Sequence, residues 1–237
     1  ILILIITFIF NCLGQTTAVT PDLQGIAQIR NKGKVLMIRD AYQIPVQDFF
    51  AKYHVQFGLT SADDMVLKEE IVKINGNKDY RYQQHFHGIP VEGATLILHE
   101  NNGKIVSCNG SIVNNFNRPF TPVVDAENAV QTAINNTPAK TYAWEVAVLE
   151  QDIKTQHQNE KATYYPTPKL IFFDPDYSYN AQNYRLTYAI DILSVEPFNR
   201  QIVYVDATTG AVTKSVKKNQ RINVEVQAET RYDGIRT

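Results

Sequence analysis

The clearest pattern of hydrophobic and polar positions lies late in the chain, between residues 184 and 216. Large apolar side chains alternate with polar or small ones and predict a strand with one buried face: Tyr184, Leu186, Tyr188, Ile190 and Ile192. A connector with Pro197 and Asn199 follows, and then a β-branched and aromatic run at 202–205. Residues 206–210 read as a turn and 211–216 as a returning strand. This part predicts a three-stranded antiparallel meander.

A second alternating pattern lies in the first half of the chain. Residues 79–86 place Tyr80, Tyr82, Gln84 and Phe86 on one face of a strand, opposite Arg81, Gln83 and His85. Further strands are predicted at 35–38, 65–74, 94–99 and 104–112. Asn102-Gly103 is a strong signal for a two-residue hairpin turn. Residues 64–112 therefore predict a run of antiparallel strands.

Two amphipathic helices are expected, one beside each group of strands. Pro45 opens the first, whose apolar stripe is Val46, Phe49, Phe50, Tyr53 and Phe57. Asp125 caps the second, whose stripe is Ala126, Ala129, Val130, Ala133 and Ile134. We further expect strands at 144–149 and 170–173, with an exposed loop at 151–163 between them. The predicted fold class is α+β, with two modules that each pack an antiparallel sheet against a helix.

The predicted domain organisation follows from these elements. Residues 19–44 form a lead-in, 45–113 the first module and 125–216 the second. Residues 114–124 contain Pro119 and Pro122 and read as a linker. Residues 217–237 begin with a polar, basic break and continue with an alternating stretch at 222–226 that suits another strand.

The first thirteen residues, ILILIITFIFNCL, are almost wholly apolar. The run is too short for a stable membrane anchor and suits the apolar region of a signal peptide, here 1–18 with its start missing. A buried element of a folded domain is one alternative, and lipid attachment at Cys12 is another. Removal of this segment leaves Cys108 without a partner, so an exported, extracellular protein without disulfides is expected.

Composition narrows the classes of function. Hydrophobic residues make up 44% and charged residues 20% of the 237-residue chain, which is typical of a folded protein. The net charge is −1 and the basic residues are dispersed, so no nucleic-acid partner is expected.

The sequence offers few residues that could carry chemistry. His85 and His87 flank Phe86 and are expected on one strand face, where both could meet a metal ion, but no third ligand stands at a suitable spacing. His99-Glu100 begins like the zinc-peptidase motif H-E-x-x-H, but Gly103 stands where the second His is needed. Asp174 and Asp176 could bind a cation in a loop or simply form a turn. We therefore expect no catalytic residue, metal ligand or cofactor in this chain.

Two motifs resemble parts of a known pro region. Arg81-Tyr82-Gln83-Gln84, followed by Gly88-Ile89-Pro90-Val91-Glu92-Gly93, His99 and Gly103, is similar to the fungalysin/thermolysin propeptide (FTP) domain. The stretch VDATTGAV at 205–212, with Asp206 and Gly210, resembles the PepSY-type module found in the same pro regions. The chain is thus identified with the pro region of thermolysin-like (M4 family) secreted zinc metallopeptidases.

This resemblance implies a propeptide that inhibits a downstream peptidase domain and assists its folding. Zinc and calcium are implied only for that catalytic domain, which is the expected partner. The tail resembles a processing junction and the first strand of the peptidase. Its candidates for the maturation site are Lys218, Arg221, Ile222, Val224 and Val226.

Two other classes stay open at this stage. A free-standing secreted inhibitor or binding module of the same construction is the first, although such a module has no need of residues 222–237. An enzyme in its own right is the second, and it requires a catalytic cluster that the sequence does not show.

Overall fold

A computed structural model of the chain describes residues 21–30 and 35–218. The predicted signal peptide, the strand at 222–226 and the processing candidates Arg221, Ile222, Val224 and Val226 lie outside the described residues.

The first half of the chain folds into a short and a longer helix with six strands. These elements are α1 (Pro21–Ile26), β1 (Ala27–Arg30), β2 (Val35–Ile38), α2 (Val46–Tyr53), β3 (Asp63–Val72), β4 (Lys78–Phe86), β5 (Ile89–Asn101) and β6 (Lys104–Gly110). Strands β3 to β6 form an antiparallel meander, and β2 and β1 continue the sheet beyond β6. The run of antiparallel strands predicted for 64–112 is confirmed, including the hairpin turn at Asn102-Gly103.

The second half adds two helices and five strands. They are α3 (Ala126–Asn135), β7 (Thr141–Tyr142), α4 (Ala147–His157), β8 (Lys169–Phe173), β9 (Arg185–Glu196), β10 (Phe198–Asp206) and β11 (Val212–Lys217). Strands β8 to β11 pair antiparallel in sequence order, and β7 pairs with β9. The predicted meander is confirmed, but its connector is shorter than expected because β9 and β10 meet at Pro197.

The two halves share one mixed sheet. Strand β5 pairs parallel to β8 through Val91 and Phe172, which links the strands into an 11-stranded sheet. The α+β class is confirmed, and the sheet is mixed at this point rather than antiparallel throughout. The division into two modules, with its boundaries, stays a prediction.

Two main hydrophobic cores lie on the sheet. The core under α1 and α2 contains Phe49, Tyr53 and Phe57 packed on Leu96 and Leu98. The core under α3 is built mostly from the second half of the chain, but it also contains residues of the first half: Phe86, Val91, Ala94, Val113 and Phe116. The face predicted for the strand at 184–192 is buried throughout, in this second core. The apolar stripe predicted for α2 and the apolar face predicted at 184–192 thus each face one of the two cores.

One region departs from the sequence prediction. Residues 144–149 do not form a strand; a 3-10 turn at Ala143–Glu145 leads into α4, which covers much of the expected loop at 151–163. Helix α4 has no buried residue, and Val148 is 71% exposed. A helix that buries no face leaves no apolar periodicity, so the pattern could not reveal it. Thr155 donates to the Gln151 carbonyl within the helix, and Glu150 Oε1 accepts from the Tyr164 amide beyond it at 2.7 Å.

Candidate functional site

The second glutamine of the Arg-Tyr-Gln-Gln motif holds two segments of backbone together. Gln84 is fully buried on β4. Its amide nitrogen donates to Asp63 Oδ1 at 2.8 Å and to the Val113 carbonyl at 3.0 Å, and its oxygen accepts from the Val113 amide at 2.9 Å. Gln84 therefore fixes the start of β3 and the chain that leaves β6.

The first glutamine of the motif fixes the following strand. Gln83 donates from its amide nitrogen to the carbonyls of Val91 and Ala94 and accepts a bond from the Thr95 hydroxyl. These groups flank the bend of β5 at Gly93. Tyr82 packs edge-on against Phe50 of α2, with ring centroids 4.9 Å apart, and Arg81 pairs with Glu69 on the surface. The motif residues thus build the scaffold.

The Gly-Ile-Pro-Val-Glu-Gly segment forms a turn and the junction between the two halves. Gly88 is the second residue of the turn from β4 to β5, and Pro90 pairs with His85. Gly93 has a φ of +79°, and a Cβ there would lie 3.1 Å from the Tyr179 ring. The Tyr184 hydroxyl donates to the Glu92 carbonyl at 3.0 Å. Glycine at 93 therefore lets a loop of the second half approach β5 closely.

The Asp206–Gly210 turn has the geometry that its residues predict. Asp206 Oδ1 accepts from the amides of Thr208 and Thr209 at 2.8 and 2.9 Å. Gly210 has a φ of +76°. The Ala207 carbonyl in this turn accepts from the amides of Val123 and Val124, both at 2.9 Å. The turn therefore ties β10 to the segment predicted as a linker.

A polar cleft of about 380 Å³ opens beside this turn. Arg118 lies at its wall, donating from Nε to the Tyr184 carbonyl at 3.0 Å and from Nη1 to Gln182 Oε1 at 3.2 Å. Asp206 also lines the cleft, with Oδ2 3.9 Å from Arg185 Nη1. Charges of both signs line the cleft.

The chain leaves β11 beside a cluster of charged side chains, which we call the Asp191 cluster: Asp191, Arg200 and Lys218. Arg200 binds both carboxylate oxygens of Asp191, at 3.1 and 2.9 Å. Lys218 Nζ donates to Asp191 Oδ2 at 2.8 Å. Burial opposes ionisation of Asp191, but the bonds from Arg200 and Lys218 outweigh it and hold the pKa of the carboxyl below its ordinary 3.8. The cluster therefore favours the ionised form of Asp191.

Lys218 is the one processing candidate among the described residues, and it is held in place. Asp191 and Arg200, which hold it, were not singled out from the sequence. The signal that could have found them is the opposite charge of two residues on either side of a tight hairpin at Pro197. That signal required the correct hairpin register, which the sequence pattern did not provide.

The histidines occupy structural positions. His87 lies in the turn after β4 and stacks on Phe120, with ring centroids 3.9 Å apart, so it does not share a strand face with His85 as expected. His99 lies between Asp79 Oδ1 at 2.7 Å and Asn109 Oδ1 at 2.5 Å. Asp174 is buried and accepts bonds from Asp176, Ser178 and Tyr179, which is the arrangement of a turn.

Residues 21–30 and 35–218 contain neither a group of side chains suited to a metal ion nor a helix suited to span a membrane. Within this part of the chain, no group of three or more His, Cys, Asp or Glu side chains could hold a metal ion. No helix in it has both the length and the apolar character needed to cross a membrane.

Comparison with known proteins identifies one segment. A family profile described as "Fungalysin/Thermolysin Propeptide Motif" matches residues 63–112, which span β3 to β6. The predicted resemblance to this propeptide is therefore confirmed for these residues. The PepSY-like module at 125–216 stays a prediction.

Curated relatives are proteases. The thermostable neutral protease NprT of Geobacillus stearothermophilus is 26% identical over 140 residues, which cover 58% of this chain and 22% of that protein. Thermolysins of Alicyclobacillus acidocaldarius subsp. acidocaldarius and Bacillus caldolyticus are 26% identical over 139 residues, with the same coverage of 58% and 22%. The chain thus spans 22% of the length of these relatives.

One solved structure that matches this chain is the Bacillus megaterium YpeB C-terminal domain. The match covers 79% of this chain and 73% of that chain, with 11% sequence identity and a TM-score of 0.33. At this TM-score the likeness carries no argument about function.

Proposed function

We propose that this chain is the propeptide of a secreted, thermolysin-like zinc metalloendopeptidase, and that it inhibits the downstream catalytic domain and assists its folding. The propeptide motif at residues 63–112 carries this proposal. Zinc and calcium then belong to the catalytic domain, and the chain itself performs no catalysis.

The construction of the motif supports a scaffold role. Its two glutamines, Gln83 and Gln84, form hydrogen bonds within the chain, mostly to backbone. Its turn segment joins the two halves through Val91 and Phe172. A rigid surface that binds the folded peptidase and not its unfolded chain stabilises the folded form by mass action. Linkage in one chain raises the effective concentration of the propeptide further.

The proposal is tested by adding the purified chain in trans to a refolding peptidase domain of its own precursor. We expect a higher yield of active peptidase, and slower casein hydrolysis when the chain is added to the mature enzyme. The chain alone should show no casein hydrolysis that a metal chelator abolishes.

Equal recovery of activity with and without the chain, together with no inhibition, would falsify the proposal. Inhibition without any gain in refolding yield would instead favour a separate inhibitor or binding module. Reading the coding sequence that follows residue 237 is a further check, because the proposal requires a peptidase domain with an H-E-x-x-H motif there.

A further inference from the structure

We propose that the Asp191 cluster protects the basic pair Lys217-Lys218 from proteases that cut after basic residues, so that maturation cleaves beyond Lys218. The inference rests on the proposed function for its biological meaning, because release of a propeptide requires a cut near this point. The protection itself follows from contacts at the end of β11.

The backbone up to Lys218 is paired with its neighbour. Lys217 lies opposite Gln201 in the β10–β11 ladder, and the Lys218 amide donates to the Arg200 carbonyl at 2.8 Å. Proteases bind the residues around the scissile bond as an extended strand, with their backbone groups free to pair with the enzyme. The bonds on either side of Lys218 therefore become accessible only after the end of β11 separates from β10.

The side chain of Lys218 is also engaged. Its ammonium group lies 2.8 Å from Asp191 Oδ2, and both side chains are partly exposed, at 41% and 35%. A protease with basic specificity needs this ammonium group in its own binding pocket. Asp191 competes with the protease for the group that the protease must recognise.

Two further side chains of β11, Lys214 and Ser215, bond to segments outside the β10–β11 ladder. Lys214 donates to the Pro175 carbonyl and lies over the Tyr177 ring, 4.2 Å from its centroid. The Ser215 hydroxyl donates to Asn136 Oδ1 at 3.0 Å. Separation of the end of β11 from β10 therefore does not extend freely along the strand. The maturation bond is expected after residue 218, where Arg221, Ile222, Val224 and Val226 are the remaining candidates.

Limited trypsin digestion of the folded chain tests the inference. Cleavage after Lys218 is measured by mass spectrometry relative to cleavage after Lys161, which is exposed and lies outside the strands. In the folded wild type, the rate of cleavage after Lys218 relative to Lys161 should be at least about tenfold below its value in the unfolded chain. The reason is that cleavage after Lys218 requires the fraction of molecules in which the end of β11 has separated from β10.

Asp191→Asn should raise this ratio by about threefold to fivefold, the effect expected for loss of a partly exposed ion pair. Glu196→Gln is the matched control, since it removes a carboxylate on the same strand whose partner is Lys140. Arg200→Gln removes both guanidinium bonds to Asp191 but not the bond from Lys218. It should therefore keep the ratio within about twofold of wild type.

Three results would overturn the inference: equal ratios in folded and unfolded wild type, no difference between Asp191→Asn and Glu196→Gln, or an increase in Arg200→Gln as large as in Asp191→Asn. The last result would indicate general loosening of the sheet. None of these outcomes depends on a peptidase domain, so failure here is distinguishable from failure of the proposed function in the refolding assay.

Discussion

Gln84 shows at the residue scale why a polar side chain can occupy the interior of a sheet. A buried amide is tolerated when its donor and acceptor groups are paired. The amide nitrogen of Gln84 donates to Asp63 and Val113, and its oxygen accepts from Val113. The side chain of Gln84 thus supplies hydrogen bonds to the backbone of Val113, which lies beyond the end of β6 and has no strand partner there.

Replacing Gln84 with leucine should lower the free energy of unfolding by about 2–5 kcal/mol, because the buried amide and carbonyl of Val113 lose their partner. Urea denaturation measures the effect through a lower midpoint at an unchanged slope. Arg81→Gln on the same strand is the control and should cost under about 1 kcal/mol, since the Arg81–Glu69 pair is exposed. Equal losses in the two variants would contradict this role of Gln84.

Gly210 gives a second prediction at this scale. A Cβ at this position would lie 3.6 Å from the nearest Val124 atom, which is ordinary contact, so the strain of a substitution comes from the φ of +76°. Gly210→Val should cost about 1–2 kcal/mol and lower Tm by about 2–8 °C. It should also impair refolding assistance and inhibition in trans. Gly210→Asn, which tolerates this conformation, should cost less. Matching losses for Val and Asn would argue against backbone strain as the cause.

At the scale of elements, Asp191 joins three strands. It lies on β9, Arg200 lies on β10 and Lys218 follows β11 directly. The free energy that these bonds contribute is linked to pH, since the pKa of Asp191 is lower in the folded chain than its ordinary value. The unfolded chain therefore takes up the proton first as pH falls.

The stability that Asp191 contributes is expected to fall at acid pH. The stabilisation from Asp191 is present above its ordinary pKa of 3.8 and is lost as pH falls through the lower folded value. Urea midpoints should therefore fall more steeply between about pH 5 and pH 3 in wild type than in Asp191→Asn. Identical slopes over this range would show that the cluster contributes no pH-dependent stability.

At the scale of the whole molecule, the two halves share a core as well as a sheet. Phe172 of β8 is fully buried and packs on Phe116 and Phe86, with ring centroids 4.9 and 5.8 Å apart. The segment at 114–124 contributes to this contact, because Phe116 belongs to it. The shared core indicates that the halves unfold together.

Phe172→Ala should destabilise the whole chain by about 3–5 kcal/mol. Fluorescence of Trp144, the single tryptophan, reports the second half, and far-UV circular dichroism reports both halves. We expect the two transitions to coincide in wild type and to shift together in the variant. Phe198→Ala is the control, since this side chain is 60% exposed. A circular dichroism transition that stays in place while fluorescence shifts would instead support two independent modules.

The sequence by itself determined the elements whose periodicity reflects one buried face. The strands of 79–86 and 184–192 and helices α2 and α3 were found because burial imposes a period of 2 or 3.6 on the apolar residues. The Asn102-Gly103 and Asp206–Gly210 turns were found because their residue types suit the backbone conformation. The propeptide motif was recognisable because its residues hold those local elements in order.

Tertiary structure decided what local pattern does not encode. The parallel pairing of Val91 with Phe172 joins residues far apart in the chain, and neither strand signals its partner. The three members of the Asp191 cluster meet only when the register of β9, β10 and β11 is set. Helix α4 has no buried face and left no periodic signal. In the first two cases the deciding free energy lies in contacts between elements, and such contacts depend on topology rather than on the period of a single segment.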